Sequence, residues 1–120
     1  MGPLHILIVE DDHLIGLLLA DMLDAMGHSV CAVARTQDEA VAAAEREKPH
    51  MLIVDAWLHK GTGVTAVDQI QRRGNVPHIF VTGDSRSVLA LKPDAIILEK
   101  PFTEAMLSAA IDRAYALSTT

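Results

Sequence analysis

Aromatic residues are nearly missing from this 120-residue chain: Trp57, Phe80, Phe102 and Tyr115 make up 3% of it. Four rings so scattered form no stacking platform for single-stranded nucleic acid. Basic residues are also in deficit, ten against sixteen acidic, and the resulting formal charge of −6 sets up a field that opposes a polyanion. Nucleic acid is therefore excluded as a partner. A single cysteine, Cys31, rules out an intramolecular disulfide, and its place in an apolar run reads as a buried, inert thiol. The longest apolar stretch runs from Leu14 to Ala20 and stops at Asp21, far short of the roughly 20 residues of a bilayer span. No membrane-crossing segment is expected. The N-terminus, Met1-Gly2-Pro3-Leu4-His5, lacks the basic start of a signal peptide, so the expected address is cytoplasmic.

What is present is apolar and ordered: half of the residues are hydrophobic, which excludes a disordered chain. The length suits one domain, residues 1–120, that can bury roughly two thirds of the surface its unfolded form exposes. Its hydrophobic pattern switches regularly between two periods. His5-Ile6-Leu7-Ile8-Val9 is a continuous apolar run of the kind found in strands buried on both faces. From Leu14 the period lengthens, with Leu14, Ile15, Leu18, Leu19, Met22 and Met26 marking a helix face as far as Gly27. Ser29 to Val33 is a second strand, and Thr36 with Glu39 has capping-box spacing ahead of an alanine-rich helix that ends before Pro49.

Met51 to Asp55 is a third strand. Beyond the turn-forming Gly61-Thr62-Gly63, the residues Val64, Val67 and Ile70 mark a third helix, stopped by Gly74. His78 to Thr82 is a fourth strand, followed by a short helix capped by Asp84 or Ser85 and reaching Leu91. Ala95 to Leu98 is a fifth strand. Thr103 caps the last helix, whose face is Leu107, Ala110, Ile111, Ala114 and Leu117, with Phe102 placed to staple onto Leu107. Five strand–helix units in succession predict an α/β, doubly wound parallel sheet with helices on both faces. Such sheets carry their functional groups beyond the carboxyl ends of the strands.

Those ends are polar here. Glu10, Asp11 and Asp12 follow strand one, Asp55 closes strand three, Thr82 and Gly83 close strand four, and Glu99-Lys100-Pro101 follow strand five. If strands one and three are neighbours, about 4.8 Å apart, Asp11 and Asp55 converge, and carboxylates that close need protons or a hard cation to offset their repulsion. Oxygen-only donors favour magnesium over zinc. Helix capping alone explains one of the three acids after strand one, but not an aspartate at the end of the apolar run Met51 to Val54.

These residues resemble the receiver domain of two-component response regulators, over the whole chain. Ile6-Leu7-Ile8-Val9-Glu10-Asp11 is similar to the family's first strand and acidic pair, and Leu52-Ile53-Val54-Asp55 to its phospho-acceptor strand. Val81-Thr82-Gly83 and Lys100-Pro101-Phe102 match its hydroxyl and lysine positions. The resemblance implies a five-stranded parallel sheet of order 2-1-3-4-5 with five helices. It makes Asp55 the acceptor of a phosphoryl group from the phosphohistidine of a histidine kinase or phosphotransferase, with Mg2+ as the cofactor. Glu10, directly or through water, Asp11, Asp55 and the backbone carbonyl of Trp57 would hold the metal, with Asp12 as the register alternative for the acidic pair. Lys100 would pair with Asp55 and then with a phosphoryl oxygen, across a cis Lys100–Pro101 bond, and Thr82 would donate its hydroxyl to the phosphoryl group. Gly83 would keep the way in open.

Two departures stand out. Most receivers carry an aromatic switch residue three positions before the lysine, where this chain has Ile97, and the usual Met-Pro after the acceptor is replaced by Ala56-Trp57-Leu58. Both departures, with Phe80-Val81-Thr82-Gly83-Asp84, are similar to the "FATGUY" subgroup of receivers. Trp57 and Asp84 stand two residues past the acceptor and the threonine, where receivers control water access, and the Trp57 ring is expected to shield the acyl phosphate. The expected protein is a single-domain regulator, monomeric or dimerising on phosphorylation through its fourth and fifth helices. The rivals are a receiver-like interaction module without phosphotransfer and an aspartate-nucleophile phosphatase, the latter disfavoured by Trp57 where a second acid is needed. The six histidines show no ligand spacing in sequence, Met22 and Met26 read as core, and Arg72-Arg73 as a solvated helix end.

Overall fold

In a computed structural model, which describes residues 2–118, five parallel strands and five helices alternate along the chain. The strands are β1 (His5–Val9), β2 (Ser29–Ala34), β3 (Met51–Asp55), β4 (His78–Thr82) and β5 (Ile97–Glu99), in the order β2-β1-β3-β4-β5. The helices are α1 (His13–Ala25), α2 (Gln37–Glu47), α3 (Gly63–Gln71), α4 (Ser85–Leu91) and α5 (Glu104–Ser118).

The continuous apolar runs are explained by two cores. Side chains alternate across a strand, so Ile6 and Ile8 pack with Leu19, Leu23, Leu107 and Ile111 of α1 and α5, while Leu7 and Val9 pack with Ala40, Ala43, Val64 and Val67 of α2 and α3. Phe80 is the one fully buried aromatic ring; the rest of the buried packing is aliphatic.

Helix ends follow their sequence signals closely. Asp12 caps α1 by accepting the N–H groups of Leu14 and Ile15, Thr36 caps α2 through Glu39 N–H, and Thr103 Oγ1 accepts the Met106 N–H at the start of α5. Asp84, not Ser85, caps α4. At the end of α1, Gly27 has a φ of +87° and His28 N–H turns back to the Leu23 carbonyl, a closure that favours glycine.

Several expectations are corrected. Strand β5 begins at Ile97 rather than Ala95, because the Ala95 N–H closes a turn onto the Lys92 carbonyl. The α1 stripe is not all core: Leu19 is buried with Leu23, but Leu14 (74% exposed) and Leu18 face outward with Leu17. Leu117 lies exposed near the end of α5, outside the buried face of Leu107, Ala110, Ile111 and Ala114. Cys31 is half-buried, not fully, at an irregularity where β1 pairs Ile6 with Val30 and Leu7 with Ala32. No helix among the described residues is long and apolar enough to cross a membrane.

Candidate functional site

The ladder builds the site. Val9 pairs with Val54 and Asp55 with Val81, so the residue after β1, Glu10, lies beside the last residue of β3, Asp55. Glu10 is further fixed by its N–H bond to the Ala34 carbonyl at 2.8 Å, and Lys100 by its N–H bond to the Thr82 carbonyl at 2.9 Å. The Lys100–Pro101 peptide is cis, as expected.

Glu10, Asp11 and Asp55 each bring a carboxylate oxygen within 4.8 Å of the others. Lys100 Nζ stands 3.6 Å from both Glu10 Oε1 and Asp55 Oδ2. Glu10 and Asp55 are buried, and Glu10 Oε1 is shut away from solvent with no hydrogen bond. Burial, with a side-chain hydrogen bond and repulsion from Asp55, pushes the Glu10 carboxyl up to about 8, against the weaker pull of the Asp12 N–H and Lys100. The cluster is thus short of positive charge. Its all-oxygen donor set, with one orphaned buried oxygen, fits a small hard cation.

The other expected residues are placed less uniformly. Asp12 donates no ligand to the cluster, since its carboxylate caps α1. Trp57 donates its N–H to Asp55 Oδ1 at 3.1 Å, and the residue is 41% exposed. Thr82 is buried, and its hydroxyl accepts the Asp84 N–H at 3.0 Å. Gly83 opens onto free space, where a methyl group would meet nothing within 4 Å. Asp84 is held below the ordinary carboxylate range by the Ser87 hydroxyl and N–H. Ile97 packs half-buried beside the core of Phe80 and Val88, at the register position opposite Phe80.

Three residues were invisible as site residues in the sequence. His59 donates its N–H to Asp11 Oδ2 at 2.7 Å and lays its ring 3.7 Å from the same oxygen. Gln37, at the start of α2, accepts the Thr62 N–H and so ties the post-acceptor loop to the neighbouring helix. Gly63, read as a turn residue, opens α3 directly against the acceptor strand: its N–H meets the Ala56 carbonyl at 2.9 Å, and a methyl there would collide with the Asp55 carbonyl oxygen and Val54 Cγ1. Only a tripeptide-level signal, glycine just inside a helix start, hinted at that contact.

The chain is similar to regulatory proteins and to receiver domains of known structure. The chain is 38% identical over 114 residues to the phyllosphere-induced regulator PhyR of Methylorubrum extorquens, covering 92% of this chain and 43% of that protein. The solution structure of the Erythrobacter litoralis PhyR response regulator receiver domain superposes with a TM-score of 0.88 at 31% identity, covering 96% of this chain and 92% of that one. The anti-anti-sigma factor PhyR of Bartonella quintana gives a TM-score of 0.89 at 29% identity, over 99% of this chain and 50% of that one. The chain spans about half the length of the curated relatives it matches first. Residues 6–112 match the response regulator receiver domain, and with the acidic cluster, the lysine and the sheet order in place, the chain belongs to that family.

Proposed function

We propose that this receiver takes a phosphoryl group onto Asp55 from the phosphohistidine of a kinase or phosphotransferase and signals by contact with another protein. The observation that carries the reading is the position of Lys100 Nζ, 3.6 Å from both Asp55 and Glu10. In the transfer, an Asp55 carboxylate oxygen forms a bond to phosphorus as the bond from phosphorus to the donor imidazole nitrogen breaks, and the electron pair stays on that nitrogen. Lys100 then moves its charge from the Asp55 carboxylate to a phosphoryl oxygen. Glu10, Asp11, Asp55 and the Trp57 carbonyl would hold magnesium, which supplies charge neutralisation on the phosphoryl oxygens.

The Thr82 hydroxyl accepts the Asp84 N–H beside the α4 cap, and its own O–H proton is the one it would donate to the phosphoryl group. Ile97 offers no aromatic ring to couple to that contact. Leu14, Leu17 and Leu18 form an exposed apolar stripe on α1, starting two residues beyond the Asp12 cap, and so border the acceptor edge as a surface for the protein donor. The likeness to the Bartonella quintana anti-anti-sigma factor supports a protein rather than a nucleic acid as the output partner, in a cytoplasmic relay.

The test is incubation with a small acyl phosphate and magnesium, read by intact mass. One added phosphoryl group is expected, lost in Asp55→Asn and on chelation. Uptake that survives Asp55→Asn overturns the assignment. In the same experiment Trp57→Ala is expected to shorten the lifetime of the phosphorylated form, since Trp57 stands two residues past the acceptor and its N–H bonds Asp55 Oδ1.

A further inference from the structure

The opposite edge of the sheet carries a second group of ligating side chains, which sequence spacing gave no reason to expect. His5 at the start of β1, Cys31 at the β2 irregularity and Glu47, the last residue of α2, each offer one donor atom within 4.8 Å of the others. They come from three elements and are joined by the parallel register, His5 pairing with Ser29 two residues before Cys31. We propose that these three side chains form a site for a borderline divalent transition ion, with Zn2+ the ion it suits best.

The donor chemistry differs from that of the acceptor cluster. One sulfur, one imidazole nitrogen and one carboxylate oxygen match zinc, which accepts S, N and O ligands and commonly leaves a fourth position to water. Magnesium, which selects oxygen, has no claim on it.

The imidazole is already prepared. Nδ1 of His5 lies 2.8 Å from Ser29 Oγ, and that hydroxyl in turn points to the Leu4 carbonyl at 3.5 Å. A ring proton on Nδ1, donated to the serine oxygen, would leave Nε2 its lone pair for a ligand. The ring packs edge-on to His50, with centroids 6.4 Å apart, and His50 Nδ1 accepts the His5 backbone N–H at 2.9 Å. Arg46 Nε bonds Glu47 Oε2 at 3.0 Å.

The charge balance suits a divalent ion. Without one, the Cys31 S–H lies 3.4 Å from the Ile6 carbonyl. When the ion binds, the sulfur–metal bond replaces the S–H bond and the proton leaves to solvent. A thiolate and a carboxylate then neutralise the two positive charges of the ion, with no redox change. Tetrahedral zinc sets ligand atoms about 3.3–3.6 Å apart. The donor atoms lie within 4.8 Å of one another, and Glu47, a long half-buried side chain at a helix end, is the ligand best able to close on an ion.

The test is titration of the chelator-treated, reduced chain with Co2+ and with Zn2+, in excess magnesium so that the acidic cluster is not the site measured. One equivalent is expected to bind, with a thiolate-to-cobalt charge-transfer band that disappears in Cys31→Ser. His5→Gln and Glu47→Gln should each weaken Zn2+ by at least about tenfold, since even residues behind a ligand cost that much. Thermal melts of the three variants check folding, and Glu47→Gln, at a helix end, keeps the test open if the strand variants melt early. Asp55→Asn should bind the ion unchanged, which separates this site from the phosphotransfer reading. Absence of the charge-transfer band, or Zn2+ affinity that survives both Cys31→Ser and Glu47→Gln, overturns the proposal.

Discussion

At the carboxyl edge of the sheet, Glu10 and Asp55 are buried side by side with one lysine 3.6 Å from each, whereas at the amino edge Glu47 stands half-buried at a helix end with Arg46 on one oxygen. Only the first edge gathers several acids, and it confines them. Glu10 follows β1 and Asp55 ends β3, so the ladder that pairs Val9 with Val54 fixes both backbones and forbids the acids to move apart. Glu47 has a flexible side chain and a solvent route. The difference separates buried acids held together by the fold from a single acid with a route to solvent, and that burial, with the nearby Asp55 adding to it, accounts for the raised titration of Glu10.

Removing the confined charge should have the largest effect. Folded Glu10 titrates near 8 against an ordinary value of 4.5, so between those pH values the folded chain binds a proton that the unfolded chain has released. Stability of the magnesium-free protein should therefore be fullest, for this group, below pH 4.5 and fall as pH rises toward 8, by about 5 kcal/mol at most. Glu10→Gln should flatten that slope and be the more stable protein at pH 8. Urea midpoints across this range, in chelator, measure it. Equal slopes in the two proteins would mean that the carboxyl edge is no more strained than the amino edge.

A smaller effect follows from Gly63. Its Cα touches the acceptor strand, so Gly63→Ala must push α3 away from the Asp55 carbonyl, at a cost of about 2–3 kcal/mol by analogy with overpacked cores. Phosphoryl uptake should slow in the same variant, while Zn2+ binding at the amino edge, on the far ends of β1 and β2, should not change. A denaturation midpoint equal to that of the parent would remove the close contact from the account.

How far each edge was legible follows the same division. The carboxyl edge announced itself because strand-terminal residues are fixed by strand position alone: five apolar runs located the strands, and Glu10, Asp55, Thr82 and Lys100 stand at or just beyond their ends. What depended on packing between elements was hidden. Nothing local in His59 or Gln37 marks them as neighbours of Asp11 and of the post-acceptor loop, because those contacts arise from how β1, α2 and the loop after β3 meet. The outward turn of Leu14 and Leu18 was hidden for the same reason, since a periodic apolar stripe does not say how much of it the sheet can cover. The amino-edge cluster was least legible: its three ligands lie 16 or more positions apart, at a strand start, a bulge and a helix end.

Asp12 offers the finest distinction at the carboxyl edge, because it is the acid next to the cluster that does not join it. Its carboxylate accepts the Leu14 and Ile15 N–H groups at 2.9 and 3.1 Å and so is occupied by the start of α1. Asp12→Ala should cost about 1 kcal/mol, the usual loss for a helix cap, read as a lower urea midpoint. Asp12→Asn should restore most of that stability, since an amide oxygen also accepts these N–H groups, and it should leave the magnesium requirement for phosphoryl uptake as in the parent. Asp11→Asn should do the reverse, sparing the cap and raising the magnesium needed. If Asp12→Asn instead raised the magnesium requirement, the acidic pair would be shifted by one residue, and the burial of Glu10 would have to be explained by its pairing with Lys100 alone.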